Sequence, residues 1–273
     1  MKITTPLLLL GMLYALPSVA LDISGSSTIQ PIVEKLIPLY TAQGGEAVKL
    51  SGGGSGAGIK NAQSGASQIG MASRSLKDEE KATLKFATIG IDALAIVVNQ
   101  ANSLDGLSKA QLIDLYTGKI ENWKDLGGPD LKVVRVSKEV GRSTLELFEH
   151  YTGLVSPDRN KNDGKPLISK QSYIIGANLE AAALAGGISG AVSYLSVGTA
   201  LALAQAGMPI KVLKLDDVMP SDQTIADNRY PIVRELNLAY AGETPAVSAF
   251  IALALSPQGQ EVVKSLSFMP VAK

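Results

Sequence analysis

The sequence has no cysteine and a single histidine, His150. The first absence excludes disulfide frameworks, thiolate metal sites and a cysteine nucleophile. The second excludes any centre built from several imidazoles, and no residue cluster has metal-ligand spacing. Aromatic residues make up 5% of the chain, too few for a platform on which bases stack. Lys+Arg 25 balance Asp+Glu 25, so there is no basic footprint for nucleic acid. Beyond the first twenty residues no apolar run is long enough to cross a bilayer. The Ala-rich stretch 177–206 is interrupted by Gly186, Gly187, Gly190 and Gly198.

What is present is a chain of 273 residues that is 46% hydrophobic, enough for one large or two modest domains with real cores. Its start reads as a secretory signal peptide. Lys2 supplies the charge, Pro6 to Leu16 the apolar run, and Pro17-Ser-Val-Ala20 the small-residue cleavage site. Cleavage is expected after Ala20. No cysteine follows to take a lipid anchor. The expected product is exported and soluble.

After Leu21 strands and helices alternate. Val48-Lys-Leu, Ala93 to Val98, Val133 to Val136 and Ile210 to Leu215 read as strands. Pro31 to Ala42, Lys109 to Tyr116, Ser143 to Tyr151, Leu179 to Ala185 and Val247 to Leu255 carry helical apolar spacing. This order argues α/β architecture. No Pro/Gly/Ser-rich linker marks a domain boundary.

Gly 27 is the positive signal in the composition. Much of it sits in a repeated device: Ser24-Gly-Ser-Ser-Thr28, Ser51-Gly-Gly-Gly-Ser-Gly-Ala-Gly58 and Gly141-Arg-Ser-Thr144 each precede a helical segment. The second is expected to lead into a helix at Ile59. A helix N-terminus has unpaired N–H groups and partial positive charge. Glycine admits a ligand to the backbone, and Ser or Thr adds hydroxyls, which together make an anion site. The competing role for each turn is an ordinary cap. Ser143-Thr-Leu-Glu146 fits a capping box, and Ser75-Leu-Lys-Asp78 resembles one. Arg74 and Arg142 stand in these loops, and an arginine fork matches a tetrahedral oxyanion.

Other chemistry finds no support. The Gly52–Gly58 run lacks the Gly-Lys-Ser/Thr ending of a P-loop, and Ala57 breaks a Gly-x-Ser-x-Gly elbow around Ser55. Gly52 to Ala57 fits a dinucleotide fingerprint only loosely. His150 stands at the end of an amphipathic helix, where a surface residue is expected rather than a triad member.

An ordered set of segments resembles the phosphate-binding periplasmic proteins of ABC-type phosphate uptake systems, a type II periplasmic binding protein family. It comprises Gly25-Ser-Ser-Thr28, Ser51 to Gly58, Gly70-Met-Ala-Ser-Arg74, Asp92 to Asn99, and Leu107 to Trp123. Gly141 to Thr144, Ser189 to Tyr194, Tyr230-Pro-Ile-Val-Arg234, Phe250 to Gln260 and Phe268-Met-Pro270 complete it. The resemblance implies a two-lobe α/β fold, each lobe a mixed sheet flanked by helices, with a two-strand hinge near Val97-Val98. Lobe I would be residues 21–96 plus 225–273, and lobe II residues 97–224. It further implies a periplasmic monomer without cofactor or catalysis, which captures inorganic phosphate for an ABC permease in the inner membrane. The matching positions are Ser27, Thr28, Gly54, Ser55, Ser73, Arg74, Arg142, Ser143 and Thr144.

Two departures bear on selectivity. Many members carry an aspartate where this chain has Arg74, and Arg-x-x-Gly-Ser-Gly-Thr reads here Lys138-Glu-Val-Gly-Arg-Ser-Thr144. That aspartate accepts the proton of monohydrogen phosphate, which sulfate cannot offer, so its loss weakens discrimination. Asp92 and Glu139 are the candidate substitutes, although a structural hydrogen bond near the hinge is the competing role for Asp92. The rival readings are a receptor for sulfate, molybdate or tungstate, an extracellular phosphatase, and an adhesion or signalling module that kept the fold.

Overall fold

The computed structural model describes residues 20–271, so the signal-peptide segment lies outside the described residues. The chain opens with β1 (Leu21–Gly25), α1 (Gln30–Ala42), β2 (Val48–Ser51), α2 (Ser55–Ser64), β3 (Ile69–Ala72) and α3 (Asp78–Lys81). A long strand β4 (Lys85–Asn99) follows. Next come β5 (Gly106–Leu107), α4 (Lys109–Thr117), β6 (Val134–Lys138), α5 (Ser143–Thr152), β7 (Tyr173–Ile175) and α6 (Asn178–Gly187). The chain continues through β8 (Ala191–Ser196), α7 (Val197–Gln205), β9 (Ile210–Leu215) and α8 (Asp222–Ala226). It returns as β10 (Val233–Tyr240), α9 (Pro245–Leu255) and α10 (Pro257–Ser265).

The strands run in the order β2-β1-β3-β10-β4-β8-β6-β7, with β9 against β4 and β5. The strands β1, β2 and β3 are parallel, as strands joined by helical crossovers must be. β10 enters antiparallel between β3 and β4. β4 changes partners along its length. Lys85 to Ala93 pair with β10, whereas Leu94 to Val98 pair with β8 and Ile96 to Asn99 with β9.

Two hydrophobic cores result. One gathers Ile23, Ile32, Leu36, Ile69, Leu238, Phe250 and Val263. The other gathers Ala93 to Val98, Leu112, Trp123, Phe148, Tyr194 and Leu213, and includes Ile225, Tyr230 and Ile232. The uninterrupted apolar run Ala93–Val98 is fully buried, the pattern of a strand covered on both faces.

The expected strands fall on β2, β4, β6 and β9: those at Val48 and Ile210 match within one residue, whereas β4 begins at Lys85, well before Ala93, and β6 runs on to Lys138. One helix start and two caps differ from expectation. α2 begins at Ser55, four residues before Ile59, because Gly54 takes a positive φ of 88° and turns the chain into the helix early. α5 begins at Ser143 behind Arg142, and no side chain caps it, so Ser143 to Glu146 is not a capping box. α3 begins at Asp78, and Glu80 accepts from Lys77 N at 2.9 Å; Ser75 caps nothing. Part of the glycine excess also serves packing. A Cβ on Gly58 would lie 2.8 Å from Gly25 Cα and from the carbonyl oxygens of Ser24 and Met71, so α2 sits directly on β1 and β3.

Candidate anion-binding site

The start of α1, the start of α2, the end of β3 and the start of α5 meet around one narrow cavity. It is lined by Ser26, Ser27, Thr28, Gly54, Ser55, Ser73, Arg142, Ser143 and Thr144. Every expected ligand-binding position is therefore gathered there except Arg74, and Ser26 joins them. The hydroxyls interlock. Ser26 Oγ donates to Ser73 Oγ at 2.8 Å, and Ser73 Oγ lies 2.6 Å from Ser143 Oγ. Ser73 N donates to Ser55 Oγ at 3.0 Å.

Helix ends supply the remaining polarity. α1, α2 and α5 all begin without a side-chain cap. Elsewhere Ser108, Ser196, Ser221, Thr244 and Ser256 cap their helices with a hydroxyl. The N-cap positions of these helices are Ile29, Gly54 and Arg142, so Ser55, Ser143 and Thr144 stand inside their helices, while Ser26 Oγ accepts from Thr28 N at 3.2 Å in the turn before α1. These hydroxyls face the cavity beside exposed helix dipoles, an arrangement suited to an anion.

Several contacts cross between the two core regions at this point. Gly56 N donates to Gly141 O at 3.1 Å. Asn178 Nδ2, at the start of α6, donates to Thr28 Oγ1 at 2.9 Å. Arg142 passes against Gly54, where a Cβ would come within 2.8 Å of its Cδ. Its guanidinium is held by Glu139, whose Oε2 accepts from Nη2 at 2.8 Å and from Nε at 3.1 Å. Glu139 is thus engaged by Arg142 and does not line the cavity.

Arg74 is the expectation that the geometry corrects. Its guanidinium turns away from the cavity and forms a double hydrogen bond with Glu80, Nη1 to Oε2 at 2.7 Å and Nη2 to Oε1 at 2.8 Å. Its Nε lies 2.9 Å from Glu146 Oε2, at an angle that makes an ion pair without a hydrogen bond. A fork engaged by two carboxylates has no donor pair left for a ligand.

Arg142 lines the cavity, and a second arginine, Arg234 on β10, reaches two of its lining residues. Arg234 Nη2 donates to Thr28 Oγ1 at 3.1 Å and its Nη1 lies 3.5 Å from Ser73 Oγ. Asp92 holds it from behind: Asp92 Oδ2 accepts from Nη2 at 2.7 Å and from Nε at 2.9 Å, with both side chains buried. Asp92 Oδ1 accepts from Gly198 N at 3.2 Å. As a candidate proton acceptor Asp92 is therefore corrected to a structural partner, because both its oxygens already accept from protein donors. Asn178 and Arg234 were not among the expected site residues. Arg234 stood in the motif Tyr230-Pro-Ile-Val-Arg234, but nothing local tied it to a turn 206 residues away.

A family model described as a PBP superfamily domain matches residues 14–258. The chain belongs to the PBP superfamily. As a PBP superfamily member it is 31% identical over 257 residues to the phosphate-binding protein PstS of Staphylococcus aureus (strain COL), covering 86% of this chain and 74% of that one. Among solved structures, a putative phosphate ABC transporter substrate-binding protein with bound phosphate from Clostridium perfringens superposes with a TM-score of 0.82. That match has 31% identity and covers 93% of this chain and all of the other. An ABC-type phosphate transport receptor from Vibrio cholerae gives a TM-score of 0.72 at 27% identity, over 92% of this chain and 100% of that one. The two-lobe α/β expectation accords with these neighbours.

Proposed function

We propose that this protein captures inorganic phosphate between two lobes and presents it, closed, to an ABC permease. One observation carries the reading: three helix starts rich in Ser and Thr lack side-chain caps and converge, with Arg142, on a single cavity whose Thr28 accepts from Arg234. The same role in name attaches to the relatives above. In this reading residues 21–96 plus 225–273 move against 97–224, and β4 and the segment leading into β10 form the hinge. Closure joins Thr28 to Asn178 and Ser73 to Ser143, so binding and closure are one equilibrium. No bond in the ligand is made or broken. The monomer works outside the inner membrane after loss of residues 1–20. No helix among the described residues is long and apolar enough to cross a membrane.

A second oxyanion stays in contention for a specific reason. Among the described residues no carboxylate lines the cavity, so nothing acidic reads the proton of monohydrogen phosphate. Titration calorimetry with phosphate, arsenate, sulfate and molybdate tests both readings. Phosphate is expected to bind, with arsenate close behind and sulfate only modestly weaker. Absence of heat with every oxyanion overturns the capture reading. Turnover of a phosphate ester would replace it with the phosphatase reading.

A further inference from the structure

Three cations are tied to the cavity, and two of them have carboxylate partners: Arg142 lines it, Arg234 donates to its lining Thr28, and a third opens the loop that carries Arg142, Ser143 and Thr144. Arg234 is paired with Asp92, and Arg142 with Glu139. The third is Lys138, the last residue of β6, which is 1% exposed. Its Nζ donates to Ala177 O at 2.7 Å, and among the described residues no carboxylate forms an ion pair with it. A lysine ammonium carries three donors, so one carbonyl leaves it underused. Lys138 also joins two parts of the cradle. It opens the loop that carries Arg142, Ser143 and Thr144, and its acceptor immediately precedes Asn178, the residue that reaches Thr28.

We propose that Lys138 is the switchable counter-charge of this site: it takes up a proton from solvent as the oxyanion enters, so that capture and proton uptake are one event. The inference rests on the capture reading and adds to it a charge balance. The groups facing Lys138 explain the direction. Arg142 and Glu139 lie on the loop after β6, Glu180 on α6, Arg234 on β10, and the Tyr194 hydroxyl of β8 accepts from Lys138 N at 3.2 Å. Glu180 is occupied by two backbone donors, Gly176 N at 2.9 Å and Ala177 N at 2.6 Å. Burial first, and then the positive charges of Arg142 and Arg234, bring Lys138 down to about 7, against the opposing pull of Glu180 and Glu139. A doubly charged anion in the cavity reverses that balance and favours the ammonium. Arginine at this position would stay charged at every working pH; lysine makes the charge conditional.

The test is phosphate titration calorimetry at about pH 8.5, in buffers that differ in protonation enthalpy. At that pH the ligand is monohydrogen phosphate, and free Lys138 is mostly neutral while an ordinary lysine is charged. The expected slope is close to one proton taken up per anion, with affinity falling about tenfold per pH unit above about 7. Lys138→Arg should bind with no buffer dependence and a flat pH profile over that range. Lys138→Met should bind at least about tenfold more weakly, also without uptake. Phosphate binding without proton uptake by the wild-type protein overturns the inference alone, as does uptake that persists in Lys138→Arg. No phosphate binding at all overturns the capture reading and this inference with it.

Discussion

The helix starts at the cavity differ from five others in this protein. On the outer elements, Ser108 accepts from Gln111 N, Thr244 from Val247 N and Ser256 from Gly259 N, and each hydroxyl satisfies the first turn of its own helix. At the cavity, the hydroxyls of Ser26, Ser55 and Ser143 bond instead to Ser73 or lie beside it, and α1, α2 and α5 keep uncapped ends. The residue types recur, but at the cavity the N-cap positions are Ile29, Gly54 and Arg142, and the hydroxyls stand beside them. Their partners are tertiary: other chain segments bring a second hydroxyl and a buried arginine within reach. On the proposed capture reading, these helix starts leave local requirements unmet so that a ligand can meet them, at some cost to the stability of the open form.

That contrast can be broken at graded depth. The largest effect is expected at the arginine behind the cavity. Arg234→Met leaves Asp92 buried without its partner, which should lower unfolding free energy by about 3–5 kcal/mol in a denaturant titration and abolish oxyanion binding. An unchanged midpoint would show that the pair contributes nothing. Next comes Ser143→Asp, which puts a carboxylate at an uncapped helix start. It should raise stability by about 0.3–1 kcal/mol through the helix dipole. Phosphate affinity should meanwhile drop by at least about 100-fold through like-charge repulsion. Stability and affinity moving in the same direction would end the claim that α5 reserves its N-terminus for the anion. Arg142→Ala should weaken phosphate by about tenfold or more, since a lost charged hydrogen bond is worth over ~1.5 kcal/mol; unaltered calorimetry would make Arg142 a rim residue only. The smallest effect belongs to an outer cap. Thr244→Ala should cost about 1 kcal/mol in unfolding and leave affinity untouched.

How legible the site was depended on sequence distance. The three turns were readable because each is a local device of glycine and hydroxyl followed at once by apolar helical spacing. Eight of the nine expected ligand-binding positions line the cavity. Arg74 misled because its loop position fits an anion contact, while its partners are Glu80, six residues on, and Glu146, in the other core region. Conversely, Arg234 and Asn178 carried no local mark. Their partners Asp92 and Thr28 lie 142 and 150 residues away. Lys138 stood out in sequence only as a departure from a family pattern, and that its ammonium bonds to a carbonyl, with no carboxylate ion pair among the described residues, appears only in the folded chain.

By itself the sequence determined the α/β alternation, the strands Val48–Ser51 and Ile210–Leu215, and the glycine–hydroxyl turns. These follow from periodicity, φ preferences and short-range hydrogen bonding, which act within a few residues. Only the tertiary structure decided that Arg234 joins Arg142 at the cavity while Arg74 does not, which carboxylates are already engaged, and that three helix starts there lack a side-chain cap. Such choices depend on which charges are buried together. Burial makes an ion pair or an unpaired lysine matter, and no local rule reports which distant segment will supply the partner.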